Sequence, residues 1–68
     1  MAINKNLLRR KIALHGDTQG NLAEYLGLSE PSMSQKINGI RDFSVGEIRA
    51  ISQRYGLEPS EVTEVFFS

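Results

Sequence analysis

Cysteine and tryptophan are absent from this sequence of 68 residues, and histidine occurs once, as His15. Without cysteine there can be no disulfide and no thiolate metal site, and a single histidine excludes a multi-histidine metal site within one chain. The longest uninterrupted apolar runs have three residues, whereas about 20 are needed to cross a bilayer. We therefore expect a soluble, intracellular protein with no disulfide, no metal and no membrane contact.

The sequence also lacks the motifs that carry most enzymatic chemistry. It has no phosphate-binding loop, no dinucleotide fingerprint and no nucleophile, histidine and acid at a catalytic spacing. A domain of this size buries only about 60% of its unfolded surface and is too small to enclose a ligand cavity. We predict that the protein is not an enzyme, has no catalytic residue, and needs no cofactor or small-molecule ligand.

The charges cancel in total but are unevenly distributed along the chain. Eight basic and eight acidic side chains give a net charge of zero. Residues 1–41 contain six basic and three acidic side chains, and residues 42–68 contain two basic and five acidic ones. The first part therefore carries a net +3 and the second a net −3. One end of the molecule could face phosphates while the other faces solvent or a protein.

Apolar residues recur at spacings of three and four, which indicates helices, and no strand-like alternation of useful length is present. Helix start and stop signals divide the chain into five short helices. The starts are marked by Asn4, Thr18, Ser29 with Pro31, the capping box Ser44-Val45-Gly46-Glu47, and Glu58-Pro59; the ends by Gly16, Gly27, Asn38-Gly39 and Gly56. The sequence thus predicts a compact all-α fold, one five-helix domain over residues 4–67.

The middle of the chain carries a group of short motifs in a fixed order. Residues 18–29 are TQGNLAEYLGLS, and Met33, Ile37 and Asn38-Gly39 follow at helical spacing. With TQ at the start of a helix, LA in its middle, LG at the turn and NG after the second helix, the segment resembles the helix-turn-helix of the lambda-type repressor and Cro (XRE-like) family. The resemblance covers nearly all of the chain. It implies a helix-turn-helix at about residues 18–38, in a small phage or bacterial regulator located in the bacterial cytoplasm.

In that family the second helix of the motif enters the major groove of DNA. The 100° spacing of an α-helix places Pro31 and Gln35 opposite the inward-facing Met33 and Ile37. The resemblance implies that four residues read base edges: Glu30, Pro31, Ser32 and Gln35. Six others are expected to contact phosphates: Thr18 and Gln19 at a helix N-terminus, with Ser34, Lys36, Asn38 and Arg41 flanking the groove.

The last helix carries the apolar stripe Val62, Val65 and Phe66, followed by Phe67. Two adjacent phenylalanines on a helix point about 100° apart, so at least one should stay exposed unless it packs on another subunit. We expect a dimer or partner contact at these four residues.

Tyr25 and Tyr55 are expected to be half-buried with solvated hydroxyls.

Two functions fit these patterns. The first is a transcriptional regulator, of the Cro or short-repressor kind, that binds operator DNA as a homodimer through the helix after Ser29. The alternative is an antirepressor or modulator that uses the same scaffold to bind a partner phage repressor. The zero net charge and the carboxylate of Glu30 favour the alternative, because an acidic tip can mimic phosphate on a basic DNA-binding surface.

Overall fold

A computed structural model describes residues 3–68 of the chain, and within this range all regular structure is helical. The five helices are α1 (Lys5–Leu14), α2 (Gln19–Leu26), α3 (Glu30–Ile37), α4 (Val45–Tyr55) and α5 (Pro59–Phe66). The predicted all-α fold with five helices is therefore confirmed. None of the helices in residues 3–68 combines the length and the apolar character needed to cross a membrane.

Side chains at the predicted positions cap the helix starts. Thr18 Oγ1 accepts a hydrogen bond from the Asn21 amide at 3.0 Å, and Ser29 Oγ accepts one from the Ser32 amide at 3.3 Å. Before α4, Ser44 Oγ accepts from the Glu47 amide at 3.1 Å, and Glu47 Oε1 accepts from the Ser44 amide at 2.9 Å. Each cap satisfies amides that have no partner within the helix, so the short helices begin at defined residues.

Glycines end the helices α2 and α4. Gly27 after α2 and Gly56 after α4 have φ values of 72° and 60°, in the left-handed region that strains residues with a Cβ. In this conformation the Gly27 amide reaches back to the last turn of α2. The chain can therefore turn sharply into α3.

Each helix contributes two residues to one core. The ten buried apolar residues are Leu8, Ile12, Leu22, Ala23, Met33, Ile37, Ile51, Tyr55, Val65 and Phe66. Met33 and Ile37, which helical periodicity predicted to face inward, are both buried. Since helices of 8 to 11 residues are marginal in isolation, this shared core is what holds them together.

The core includes two residues that the sequence placed on a contact surface. Val65 is 0% and Phe66 6% exposed, because α5 packs against both α1 and α4. The Asn4 amide donates to the Val65 carbonyl at 2.7 Å, and the Phe66 ring meets the edge of Phe43 at 5.5 Å between centroids. Of the other two residues expected at this contact, Phe67 is 42% exposed and Val62 is partly buried, and the contact with a partner stays a prediction.

Candidate functional site

The helices α2 and α3 are joined by a turn of residues 27–29. The Leu28 amide donates to the Ala23 carbonyl at 2.8 Å, and the side chain of Ser29 then caps α3. Ala23 is 2% exposed, and its small side chain lets α2 and α3 approach closely. The turn thus holds two short helices in contact at a position set by backbone hydrogen bonds.

The outward face of α3 carries the residues predicted to read bases. Met33 and Ile37 are 0% and 1% exposed and attach the helix to the core. The opposite face leaves Glu30, Pro31 and Gln35 exposed. Ser32 is partly buried, and its hydroxyl accepts a hydrogen bond from Ser29 Oγ at 3.0 Å. Three of the four candidates are therefore free to contact a ligand, and Ser32 also supports the cap.

A groove of about 440 Å³ runs between the first turn of α2 and α3. Gln19, Glu30, Pro31 and Ser34 line it together, so the structure brings residues of both predicted sets to one surface. Gly20 also lines this groove.

Gly20 has a role in this groove that was not predicted from the sequence. A Cβ at this position would lie 3.3 Å from Glu30 Oε1, closer than ordinary van der Waals contact. Glycine thus leaves room for the Glu30 carboxylate beside the first turn of α2. The signal in the sequence was a glycine inside the first turn of a helix, where it costs about 1 kcal/mol relative to alanine.

The residues predicted to contact phosphate differ in how available their polar groups are. Thr18 Oγ1 is used as the cap of α2. Asn38 Nδ2 donates to the Ser34 carbonyl at 2.9 Å and lies 3.3 Å from Ser34 Oγ, so it closes the end of α3. Gln19 is partly exposed. Arg41 is exposed, and its side chain has no ion-pair partner among residues 3–68.

The ammonium of Lys36 is paired instead of free. Lys36 Nζ lies 2.6 Å from Glu47 Oε1, and the two side chains are only 14% and 17% exposed. Burial raises the pKa of the Glu47 carboxyl, but the hydrogen bonds from Lys36 and from the Ser44 amide outweigh burial and lower the pKa. Lys36 was expected to present a free cation to phosphate; its charge is compensated because α4 places a carboxylate beside it.

Asp17, directly before the cap of α2, forms a second polar cluster. Asp17 Oδ2 accepts hydrogen bonds from Arg54 Nε at 2.8 Å and from the Tyr55 hydroxyl at 2.7 Å, and Oδ1 accepts from the Thr18 amide at 3.0 Å. These hydrogen bonds hold the pKa of Asp17 well below its ordinary value of 3.8, although burial opposes them. The cluster joins the start of α2 to the end of α4 and compensates the Asp17 charge close to the candidate groove.

Tyr55 differs from its predicted environment. Its side chain is 5% exposed, and its hydroxyl donates to Asp17 instead of water. Burial, followed by the neighbouring Asp17 carboxylate, raises the pKa of the Tyr55 hydroxyl above its ordinary value. Tyr25 is half exposed, with the Arg54 guanidinium 4.4 Å from its ring centroid.

Within residues 3–68, no three histidine, aspartate or glutamate side chains are placed to share a metal ion.

A family model described as a protein of unknown function (DUF739) matches residues 1–68, the full length of the sequence. No curated protein and no solved structure matches the chain.

Proposed function

Since the chain belongs to the DUF739 family, described as proteins of unknown function, we propose a function from its own surface: a small phage-type transcriptional regulator that binds operator DNA through α3. The supporting observation is the division of α3 into two faces. Met33 and Ile37 are buried, while Pro31, Gln35 and Glu30 stand exposed beside the groove formed with α2. In this proposal α2, the turn and α3 form a helix-turn-helix, and α3 enters the major groove, which is about 12 Å wide.

The exposed side chains suit different features of a base pair. The Gln35 amide can bond adenine N6 and N7 together, the Glu30 carboxylate can accept from cytosine N4, and Pro31 can contact a thymine methyl group. In this proposal Gln19 and the first amides of α2 contact a phosphate, and the guanidinium of Arg41 offers five further donors. Two copies would read half-sites about 34 Å apart in the bacterial cytoplasm, and the bound dimer would block polymerase or a competing repressor.

In vitro selection from a random duplex library tests the proposal directly. The purified, folded protein is incubated alone with the library at moderate salt. We expect recovery of a palindromic motif whose half-sites are separated by one helical turn. Absence of any enrichment would contradict direct DNA binding.

Gln35→Ala tests the assigned face. Loss of a bidentate base contact should cost about 1–3 kcal/mol at one position of the operator and relax specificity there. Gln53→Ala is the matched control, because Gln53 is an exposed glutamine of α4 that does not line the groove. Binding is measured by fluorescence anisotropy on the selected operator and on its single-base variants. Equal effects of the two substitutions would show that Gln35 does not read a base.

The alternative, a modulator that binds a partner repressor, is favoured by the charges of α2 and α3. Glu24 in α2 and Glu30 in α3 are exposed, whereas the Lys36 ammonium is paired with Glu47. Glu30→Lys distinguishes the two functions. The substitution should strengthen non-specific DNA binding if DNA is the ligand, and should abolish complex formation if Glu30 mimics a phosphate toward a basic repressor surface. A purified phage repressor serves as the probe for the second outcome.

A further inference from the structure

The carboxylate of Asp17 lies at the start of α2, where the proposed complex has a phosphate of the DNA backbone. Asp17 Oδ1 accepts a hydrogen bond from the Thr18 amide at 3.0 Å, and Thr18 and Gln19 are the residues of this helix start that are expected to contact phosphate. A carboxylate and a phosphate repel each other, because both are negatively charged. Without a compensating cation, Asp17 would therefore weaken the binding of DNA at α2.

Arg54 at the end of α4 supplies such a cation. Its Nε donates to Asp17 Oδ2 at 2.8 Å, and the Tyr55 hydroxyl donates to the same oxygen at 2.7 Å. The side chain of Asp17 is only 8% exposed, whereas that of Arg54 is 31% exposed. The guanidinium is thus the more accessible of the two charges, and a ligand at this end of α2 meets a compensated pair instead of a bare carboxylate.

The guanidinium is also held by an aromatic ring of α2. Its central carbon lies 4.4 Å from the centroid of the Tyr25 ring, and Tyr25 belongs to the last turn of α2. One side chain of α4 therefore contacts both the residue before α2 and the end of that helix. Arginine suits this position, because its planar group can stack on a ring while its edge donates to a carboxylate.

We propose that Arg54 is a positioning residue for DNA binding: it holds and compensates Asp17, so that a phosphate can approach the start of α2. Arg54 acts through Asp17 and needs no contact of its own with DNA. The inference rests on the proposed function, because it concerns the phosphate contact at Thr18 and Gln19. It gives a role in DNA binding to a residue that lies outside both α3 and the groove beside it.

Arg54→Gln tests whether the cation is needed. The substitution leaves the Asp17 charge uncompensated, and the affinity for the selected operator should fall about tenfold. Arg54→Lys keeps a cation within reach of Asp17 and should stay within a few-fold of wild type. Fluorescence anisotropy is measured at about 0.15 M salt, where the effects of distant charges are largely screened, and circular dichroism checks that each variant is folded. Wild-type affinity in Arg54→Gln would overturn the proposal.

Adding Asp17→Asn to Arg54→Gln separates charge compensation from support of the fold. If Arg54 acts by compensating Asp17, removal of the carboxylate should restore the affinity to within a few-fold of wild type, although the ion pair is lost. If Arg54 only supports the fold, or binds phosphate itself, the second substitution cannot replace the lost contact. Absence of recovery in a folded double variant would therefore contradict the role of Arg54.

The pair of Lys11 with Glu61 is the matched control. It also joins a cation and a carboxylate of two helices, with side chains 19% and 31% exposed, but neither residue lines the groove beside α3. Lys11→Gln, alone or with Glu61→Gln, should leave operator binding nearly unchanged. A loss as large as that of Arg54→Gln, restored by Glu61→Gln, would show that the effect is not specific to Arg54.

The outcomes also distinguish this inference from the proposed function. If the wild-type protein selects no DNA, the proposed function itself is wrong. If the wild-type protein selects an operator but the double variant of Asp17 and Arg54 does not recover, only the role of Arg54 is wrong and DNA binding stands.

Discussion

Gly20 lowers the stability of its own helix but leaves room for a side chain of the groove beside α3. Gly20 lies in the first turn of α2, where alanine would be more stable by about 1 kcal/mol. A Cβ at this position would lie 3.3 Å from Glu30 Oε1, so the carboxylate would have to shift slightly to make room for a side chain. The glycine therefore makes α2 less stable and allows the Glu30 carboxylate to keep its position in the groove beside α3.

Gly20→Ala should stabilise the protein by up to about 1 kcal/mol and change its base preference. The free end of Glu30 can move away from the new methyl group, because the side chain is exposed, but its carboxylate is then displaced. Gly46→Ala is the control, since a Cβ there meets nothing closer than 4.0 Å. Urea unfolding should show a gain for both variants, whereas repeated DNA selection should show a weaker cytosine preference for Gly20→Ala only. An unchanged cytosine preference in both variants would show that Glu30 does not read a base.

The Asp17 carboxylate should make the stability of the fold depend on pH in the acid range. Its pKa is lowered in the folded state, so the unfolded chain binds more protons between the folded pKa and the ordinary value of 3.8. The contribution of Asp17 is therefore fully present above the ordinary value and is lost as pH falls toward the folded pKa.

Asp17→Asn should lower the free energy of unfolding at neutral pH and reduce its fall on acidification, as measured by urea unfolding at a series of pH values. Glu47 and Glu61, whose pKa values are also lowered, should keep part of the acid dependence in the variant. Asp42→Asn is the control, because Asp42 is exposed and unpaired among the described residues. If both variants lose the same acid dependence, the cluster around Asp17 does not persist in solution.

At the scale of the element, each helix is too short to be stable without help from its ends and its neighbours. In α4 one carboxylate oxygen takes part both in the cap of the helix and in a contact with α3. Glu47 Oε1 accepts hydrogen bonds from the Ser44 amide at 2.9 Å and from Lys36 Nζ at 2.6 Å. The start of α4 is thereby coupled to α3.

Ser44→Ala should cost about 1 kcal/mol, because the Glu47 amide loses its cap. Ser60→Ala provides the comparison, since Ser60 is exposed in the first turn of α5 and its side chain has no hydrogen bond within residues 3–68. Differential scanning calorimetry of both variants should show a lower melting temperature for Ser44→Ala alone. A similar effect at both positions would mean that the capping box adds no specific stability.

At the scale of the molecule, the ion pairs of the described residues connect the two oppositely charged parts of the chain. Lys11 with Glu61, Lys36 with Glu47, and Arg54 with Asp17 each join a residue of the first 41 positions to one of the last 27. The charge separation in the sequence is thus partly cancelled when the chain folds. Fewer cations remain for phosphates than the sequence suggested.

Lys36→Ala should therefore destabilise the fold by about 1 kcal/mol and leave the salt dependence of DNA binding unchanged. A lysine that contacts phosphate would instead flatten the slope of log K against log salt by about one. Titrations of the selected operator at several salt concentrations, with urea unfolding of the same samples, separate the two roles. A flatter slope with unaltered stability would show that Lys36 contacts a phosphate.

The sequence alone was sufficient for the helix number and for most helix ends. Caps and glycine stops act within a few residues, so Thr18, Ser29, Ser44 and Gly27 could be recognised from local chemistry. The face of α3 was also predictable, because helical periodicity separates Met33 and Ile37 from the exposed side. DNA binding and dimerisation stay predictions.

Only the tertiary structure decided which side chains remain available. The hydrogen bond between Asp17 and Tyr55 joins residues 38 positions apart, and the position of Val65 and Phe66 in the core depends on how α5 packs against α1 and α4. The pairing of Lys36 with Glu47 likewise required the two helices to meet. Local chemistry acts over one helical turn and can be read along the chain, whereas burial and ion pairing depend on distances in space that no periodicity specifies.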